Sequence, residues 1–291
     1  MVSTHAKEVN NMRIALAGLG LTGSQAAEYI LAQNDLSLVA AIVSAASAKI
    51  GRDIGEVLGH HPLGVSVTGC RDLAQVLQTQ RPRVLIDFSH PSFIQEHIET
   101  LAGAGVHLVI ATTGHQSRDI ERIKYYTQKH HIGTVMTPNI TYGVNVLMIL
   151  CKLAARLMDG YDFEIIESHH RHKKDSPSGT AHRIADKILE GTAAPSDTLT
   201  DIPIHSIRAG GIVGDHKVLI CGPHDKIELR HESFSRKVFA QGAVWAAKFI
   251  ENHRGFYLME DVFSETLLGY RAQTCAHCGT SLNKDDHYHI N

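Results

Sequence analysis

Between Arg13 and Met136 short apolar runs alternate with longer amphipathic stretches, the pattern a parallel sheet wrapped in helices leaves in a sequence. Arg13–Ala17, Leu38–Ser44, Val65–Val67, Val84–Phe88, His107–Ala111 and Gly133–Met136 read as strands. Thr22–Asn34, Asp72–Gln78, Ser92–Ala104 and Ser117–His130 read as the helices between them. Repeated βα units of this kind build a doubly wound α/β fold whose right-handed crossovers fix the topology.

After Asn139 the rhythm changes. A long helix, about Gly143 to Met158, precedes Phe163–Glu167, Pro203–Arg208, Lys217–Cys221 and Lys226–Glu232, which read as strands of a mixed or antiparallel sheet with one helix over about Thr180–Glu190. Ser235 is positioned to cap a helix running to Glu251, and Phe256–Leu268 is expected to return to the first unit. The expectation is a Rossmann-type doubly wound parallel sheet over 12–139, rejoined by about 245–270, a second mixed α/β domain over 140–244, and a tail over 271–291.

Composition adds limits. A chain of 291 residues suits two cores better than one. A net charge of -2 gives no electrostatic reason to expect nucleic acid or an anionic membrane as partner, so a small molecule is the default ligand. No apolar run approaches the roughly 18 residues that span a bilayer, and MVSTHAKEVNN lacks the apolar block of a signal peptide, so a cytoplasmic protein is expected. Cys70, Cys151 and Cys221 stand singly, as reduced, packed thiols do.

The first chemical signal is Gly18, Gly20 and Gly23 in AGLGLTGS, directly after a predicted strand and before a helix. Glycine lets the backbone turn tightly and approach a pyrophosphate, whose charge meets unpaired N–H groups at the helix N-terminus. Leu21 and Thr22 complete this turn, and Ser44 at the end of the second strand faces the same ligand's adenosine ribose. An NAD site normally carries an acidic residue after that strand. Here Ser47, Lys49 and Arg52 stand nearby instead, suited to a 2′-phosphate or simply to solvent. The expectation is NADPH used at least as well as NADH.

The second signal is Glu164 to Ala181, EIIESHHRHKKDSPSGTA, a loop crowded with basic and titratable side chains between an apolar strand and a helix start. Cation, proton donor and helix N-terminus would converge there on an anionic substrate. Reduction of a C=N group by hydride needs such a proton source. His169, His170 and His172 lack accompanying cysteines or regular helical spacing, which argues against zinc in this loop.

This stretch resembles the signature of the dihydrodipicolinate reductase (4-hydroxy-tetrahydrodipicolinate reductase) family. Similar text recurs in Ile86–Ser89, Ala111–Gly114, Asn139 with Gly143-Val144-Asn145, Arg208-Ala209-Gly210 and Phe239–Ala243, in the family's order. The resemblance implies His169 as catalytic acid/base and Lys173 as its proton-donating or carboxylate-binding partner. It implies His170, Gly179 and Thr180 as substrate ligands. Ala111, Thr112 and Thr113, with Thr137, Pro138, Asn139 and Ile140, would lie along the nicotinamide half of the cofactor. It further implies NAD(P)H-dependent reduction of a small dicarboxylate and a second domain that builds a homotetramer. Because the glycine turn and the histidine–lysine loop fall on different domains and must meet for hydride transfer, closure of the two domains over substrate is expected. The glycine turn is shorter than the family's usual one and carries no arginine.

Other readings are a related imine or amino-acid dehydrogenase, such as an aspartate dehydrogenase-like enzyme, and a non-catalytic dinucleotide sensor; the HHRHKKDSPSGTA loop argues against both. The tail carries Cys275, Cys278, His287 and His289, either a set of ligands for a structural zinc or an extension with two oxidisable thiols.

Overall fold

The computed structural model describes residues 11–137, 139–192 and 201–263. The first part of the chain lays down β1 (Met12–Ala17), α1 (Leu21–Leu31), β2 (Leu36–Val43), α2 (Ile54–Leu58), β3 (Val67–Gly69), α3 (Leu73–Gln80), β4 (Val84–Asp87), α4 (Pro91–Gly103), β5 (His107–Ile110), α5 (Ser117–Lys129) and β6 (Gly133–Met136). The second part adds α6 (Tyr142–Leu157), β7 (Asp162–His169), α7 (Gly179–Gly191), β8 (Ile204–Arg208), β9 (Asp215–Cys221), β10 (Lys226–Glu232), α8 (Lys237–Ile250) and β11 (Gly255–Leu258).

Seven strands form one sheet in the order β11-β6-β5-β4-β1-β2-β3, every pair parallel. Strands β4, β5 and β6 are buried along their whole length, because helices cover both faces of a parallel sheet. Alternation along β1 sends Ile14 and Leu16 into a core shared with α1 and α8, and Ala15 and Ala17 into one shared with α3 and α4. The strand order reverses between β1 and β4, which opens a crevice at their carboxyl ends.

The second sheet has the order β10-β9-β7-β8; β7 and β8 run parallel and the other neighbours antiparallel. On one face Phe163 and Ile165 of β7 and Val218 and Ile220 of β9 pack with α6 and α7 through Leu147, Ile184 and Ile188. The period of two then carries Glu167 and His169 onto that same buried face. The opposite face carries ion pairs, Arg230–Asp215 at 2.8 Å and Lys226–Glu228 at 2.6 Å, beside the exposed Ile207.

Several details differ from the sequence pattern: β3 begins at Val67, where the expected strand ends, and β11 ends at Leu258 within the expected returning segment. Helix α2 is unpredicted because five residues are too few to show a period; Asp53 nucleates it by accepting from Gly55 N–H at 2.7 Å. Helix α8 begins at Lys237 with Arg236 at the N-cap, and Ser235 Oγ accepts from Lys237 N–H at 3.3 Å one position earlier than expected. No helix among the described residues is long and apolar enough to cross a membrane.

Candidate active site

The glycine turn joins β1 to α1 at the crevice. Gly18 has φ +89°, and a Cβ there would lie 2.6 Å from the Phe88 carbonyl oxygen, so only glycine fits. A Cβ on Gly23 would strike the Gly18 carbonyl oxygen, so this glycine lets α1 sit against its own turn. Gly20 has open space around it and caps α1 without a side-chain hydrogen bond, leaving the first amides of the helix free for an anion. Leu21 is exposed, and Thr22 lines a cleft of ≈ 610 Å³ with Ser89, His90, Ala111, Thr112 and Thr113. These features fit a dinucleotide pyrophosphate. The lining comes wholly from the seven-stranded-sheet half of the molecule.

Beneath the cleft lies Asp87 at the end of β4, fully buried. It accepts from Ser89 N–H at 2.9 Å and Thr112 Oγ1 at 3.0 Å, and Ser89 Oγ bonds it as well. Burial pushes its carboxyl above the ordinary value, with the Ser89 and Thr112 hydrogen bonds acting against the shift. Ser44 is exposed after β2, and the Lys49 ammonium reaches back to the Leu19 carbonyl of the glycine turn. Asp53, the next carboxylate along the chain, is occupied by Gly55, Leu63 and Val65 N–H at 2.7, 2.8 and 3.1 Å.

The loop after β6 connects the two halves. Thr137 Oγ1 donates to Asn139 O at 2.6 Å, and Asn145 Nδ2 to the same carbonyl at 3.0 Å. Asn139 Nδ2 then donates to Thr180 Oγ1 at 3.1 Å, so the segment tied to the nucleotide half also holds the start of α7. Ile140 is buried against α8, where a Cβ on Gly242 would strike its carbonyl oxygen. Pro138 lies outside the described residues.

At the end of β7, Glu167 is fully buried and accepts from Arg208 through both guanidinium nitrogens, at 2.9 and 2.6 Å, and from Ser178 N–H at 3.2 Å. Burial pushes this carboxyl up, but hydrogen bonds led by Arg208 outweigh it and hold Glu167 at about 2. An ionised carboxylate only accepts, so the 2.5 Å contact from His169 must be Nδ1–H donating to Glu167 Oε2. His169 Nε2 is thereby the ring nitrogen not committed to Glu167. Gly214 packs over it; a Cβ there would sit 3.3 Å away. Burial pushes His169 below its ordinary value, opposed by Glu167. His216 meets His169 edge-on with ring centroids 5.1 Å apart, and burial pushes it down to about 4.

Lys173 is three-quarters buried and pairs with Asp175 at 2.8 Å, while His170 and His172 lie tilted at 6.4 Å between centroids. Ser178 caps α7, its Oγ accepting from Ala181 N–H at 3.2 Å, which leaves the first-turn amides of Gly179 and Thr180 facing out of the helix end. Space around Gly179 is open. His169, Lys173, Gly179 and Thr180 lie on one stretch from the end of β7 to the start of α7, which Glu167 ties together by bonding both His169 and Ser178 N–H. A larger cavity of ≈ 980 Å³ opens at the other ends of the strands, lined by residues including Arg13, Arg81 and Arg83, and holds none of these groups. There Arg13 Nε donates to Gln80 O at 3.0 Å, capping the end of α3.

Two family models match in sequence order: dihydrodipicolinate reductase, N-terminus, over residues 12–140, and dihydrodipicolinate reductase, C-terminus, over 143–263. The chain belongs to the dihydrodipicolinate reductase family. A 4-hydroxy-tetrahydrodipicolinate reductase of Methanothermobacter thermautotrophicus is 38% identical over 256 residues, covering 83% of this chain and 94% of the relative. A dipicolinate-bound dihydrodipicolinate reductase from Paenisporosarcina sp. TG-14 superposes with a TM-score of 0.73 at 26% identity, over 86% of this chain and 99% of that one. An amine dehydrogenase from Mycobacterium smegmatis shares the fold, with a TM-score of 0.59 at 15% identity over 86% of this chain and 95% of that one.

Within this dihydrodipicolinate reductase framework the sequence pattern did not single out Glu167, Arg208, His216 or Asp87. Glu167 and Arg208 are 41 residues apart and meet only because β7 and β8 pair in the register His169↔Arg208. Asp87 carried a signal that could have been used, a carboxylate ending an otherwise apolar strand at the switch point. Among the described residues no group of three or more His, Cys, Asp or Glu side chains is placed to hold a metal ion. Cys275, Cys278, His287 and His289 lie outside the described residues.

Proposed function

We propose that this chain reduces 4-hydroxy-tetrahydrodipicolinate to tetrahydrodipicolinate with hydride from NADPH or NADH, in the diaminopimelate–lysine pathway of the cytoplasm. The observation that supports this reading is Glu167, which accepts from the His169 imidazole and from the Ser178 N–H at the start of α7, with the Lys173 ammonium on the loop between them. A small dicarboxylate has a use for each of these groups.

The dinucleotide, when bound, supplies the hydride. Gly18, Gly20 and Gly23, with Leu21 and Thr22, would seat its pyrophosphate, and Ala111, Thr112, Thr113, Thr137, Pro138, Asn139 and Ile140 would flank its nicotinamide end. Lys173, His170 and the Gly179 and Thr180 amides bind substrate carboxylates. His169 Nε2 holds or releases the proton that accompanies reduction, and Glu167 stabilises the imidazolium that carries it. The free thiols of Cys70, Cys151 and Cys221 agree with a reducing compartment.

NADPH is used at least as well as NADH in this reading. Ser44, Lys49 and Arg52 surround the ribose end, and the carboxylate of Asp53 is already occupied by backbone amides. The subunits assemble as a homotetramer, for which the charged, exposed face of the second sheet is the available surface. Enzymatically generated substrate should drive oxidation of NADPH or NADH, followed by absorbance. Lys173→Ala should lower turnover by about 10²-fold or more while the melting temperature stays within about 2 °C, since a loop ion pair adds little stability. Absence of turnover in the parent chain with both cofactors would contradict the reading.

A further inference from the structure

We infer that the Asp175 carboxylate is a built-in competitor of the substrate, occupying the Lys173 ammonium until a substrate carboxylate displaces it. The inference rests on the function proposed above and adds to it a residue that sets affinity.

The geometry begins with the 2.8 Å contact between Lys173 Nζ and Asp175 Oδ1. Lys173 is one of the groups suited to a substrate carboxylate, and its ion-pair partner is already a carboxylate two residues along the same loop. Asp175 is held below the ordinary carboxylate range chiefly by its contact with Lys173. One ligand that a dicarboxylate would use is therefore already engaged by an internal anion.

The surroundings allow exchange. Asp175's side chain is 56% exposed, so water can solvate it once it lets go. Its backbone is fixed separately, because Arg208 Nη2 donates to the Asp175 carbonyl oxygen at 2.7 Å while the same guanidinium grips Glu167. Release then requires a rotation of one side chain and no rearrangement of the loop. The exchange replaces one carboxylate by another at Lys173, so the ammonium is never left bare. A structural tether would differ in one respect: it would hold Lys173 in the posture that binds substrate, and its loss would weaken binding.

The two roles give opposite signs. Pyridine-2,6-dicarboxylate titrated into the full chain by calorimetry, with NADPH present, reads the affinity directly. Asp175→Asn removes the competing charge and its repulsion of a dianion, and should bind about five- to tenfold more tightly. The KM for substrate should fall in parallel, and Asp175→Glu, which keeps the carboxylate, should stay near the parent value. Equal or weaker binding by Asp175→Asn, in a parent chain that turns over, overturns the competitor role and leaves the reductase reading standing. A parent chain that neither turns over nor binds the dicarboxylate overturns both.

Discussion

At the scale of single residues the site depends on one charge relationship. Glu167 stays ionised because Arg208 grips both oxygens, and its negative charge supports a proton on His169 against burial. Glu167→Gln removes that support, so the His169 pKa should fall further. If the protonated imidazole is the reactive form, the turnover profile should move about one unit toward acid, with roughly tenfold loss at neutral pH. A profile whose midpoint stays in place would mean that His169 does not carry the proton. The histidine–lysine loop was legible in the sequence because its basic residues are contiguous. Arg208 was not, because its role depends on strand register, a long-range property that no local pattern encodes. The Lys173–Asp175 pair was visible as text but not as chemistry, since neighbours in a loop can face any way.

At the scale of elements the glycine turn shows how backbone space becomes function. Replacing a helical glycine by alanine ordinarily stabilises a helix by about 1 kcal/mol. At Gly23 the added Cβ would strike the Gly18 carbonyl oxygen, so the sign should reverse: Gly23→Ala should displace α1 from the turn. NADPH affinity, read by fluorescence titration, should fall by about tenfold or more. Unchanged affinity together with a raised melting temperature would show that the close approach does not matter. Strands β1 to β6 of the first sheet were legible to within two residues or so, because buried parallel strands are written as unbroken apolar runs. Helix α2 was not, since its definition rests on the Asp53 cap and not on periodicity.

At the scale of the whole molecule two neutral, buried histidines tie stability to pH. Burial pushes His107 and His216 each from 6.5 to about 4. The unfolded chain therefore binds more protons between those values, so their contribution is complete above about pH 6.5 and is lost as pH falls toward about 4. Each shift corresponds to at most roughly 3 kcal/mol. Asp87, whose carboxyl is raised by burial, works in the opposite direction as pH rises. Melting temperature should hold near neutrality and drop steadily below about pH 6.5; a flat curve down to pH 4 would show that these rings find other partners.

The reductase reading joins a nucleotide cleft lined wholly by the first half of the molecule to an imidazole and an ammonium group in the second, with the Asn139–Thr180 hydrogen bond spanning the two. A crystal structure of the full chain with NADPH and pyridine-2,6-dicarboxylate measures that junction directly. It should show one ligand carboxylate on Lys173 and the Gly179 and Thr180 amides, with the nicotinamide ring stacked against the ligand and His169 Nε2 facing its ring. A dicarboxylate bound elsewhere, or a nicotinamide ring turned away from the loop after β7, would contradict the account.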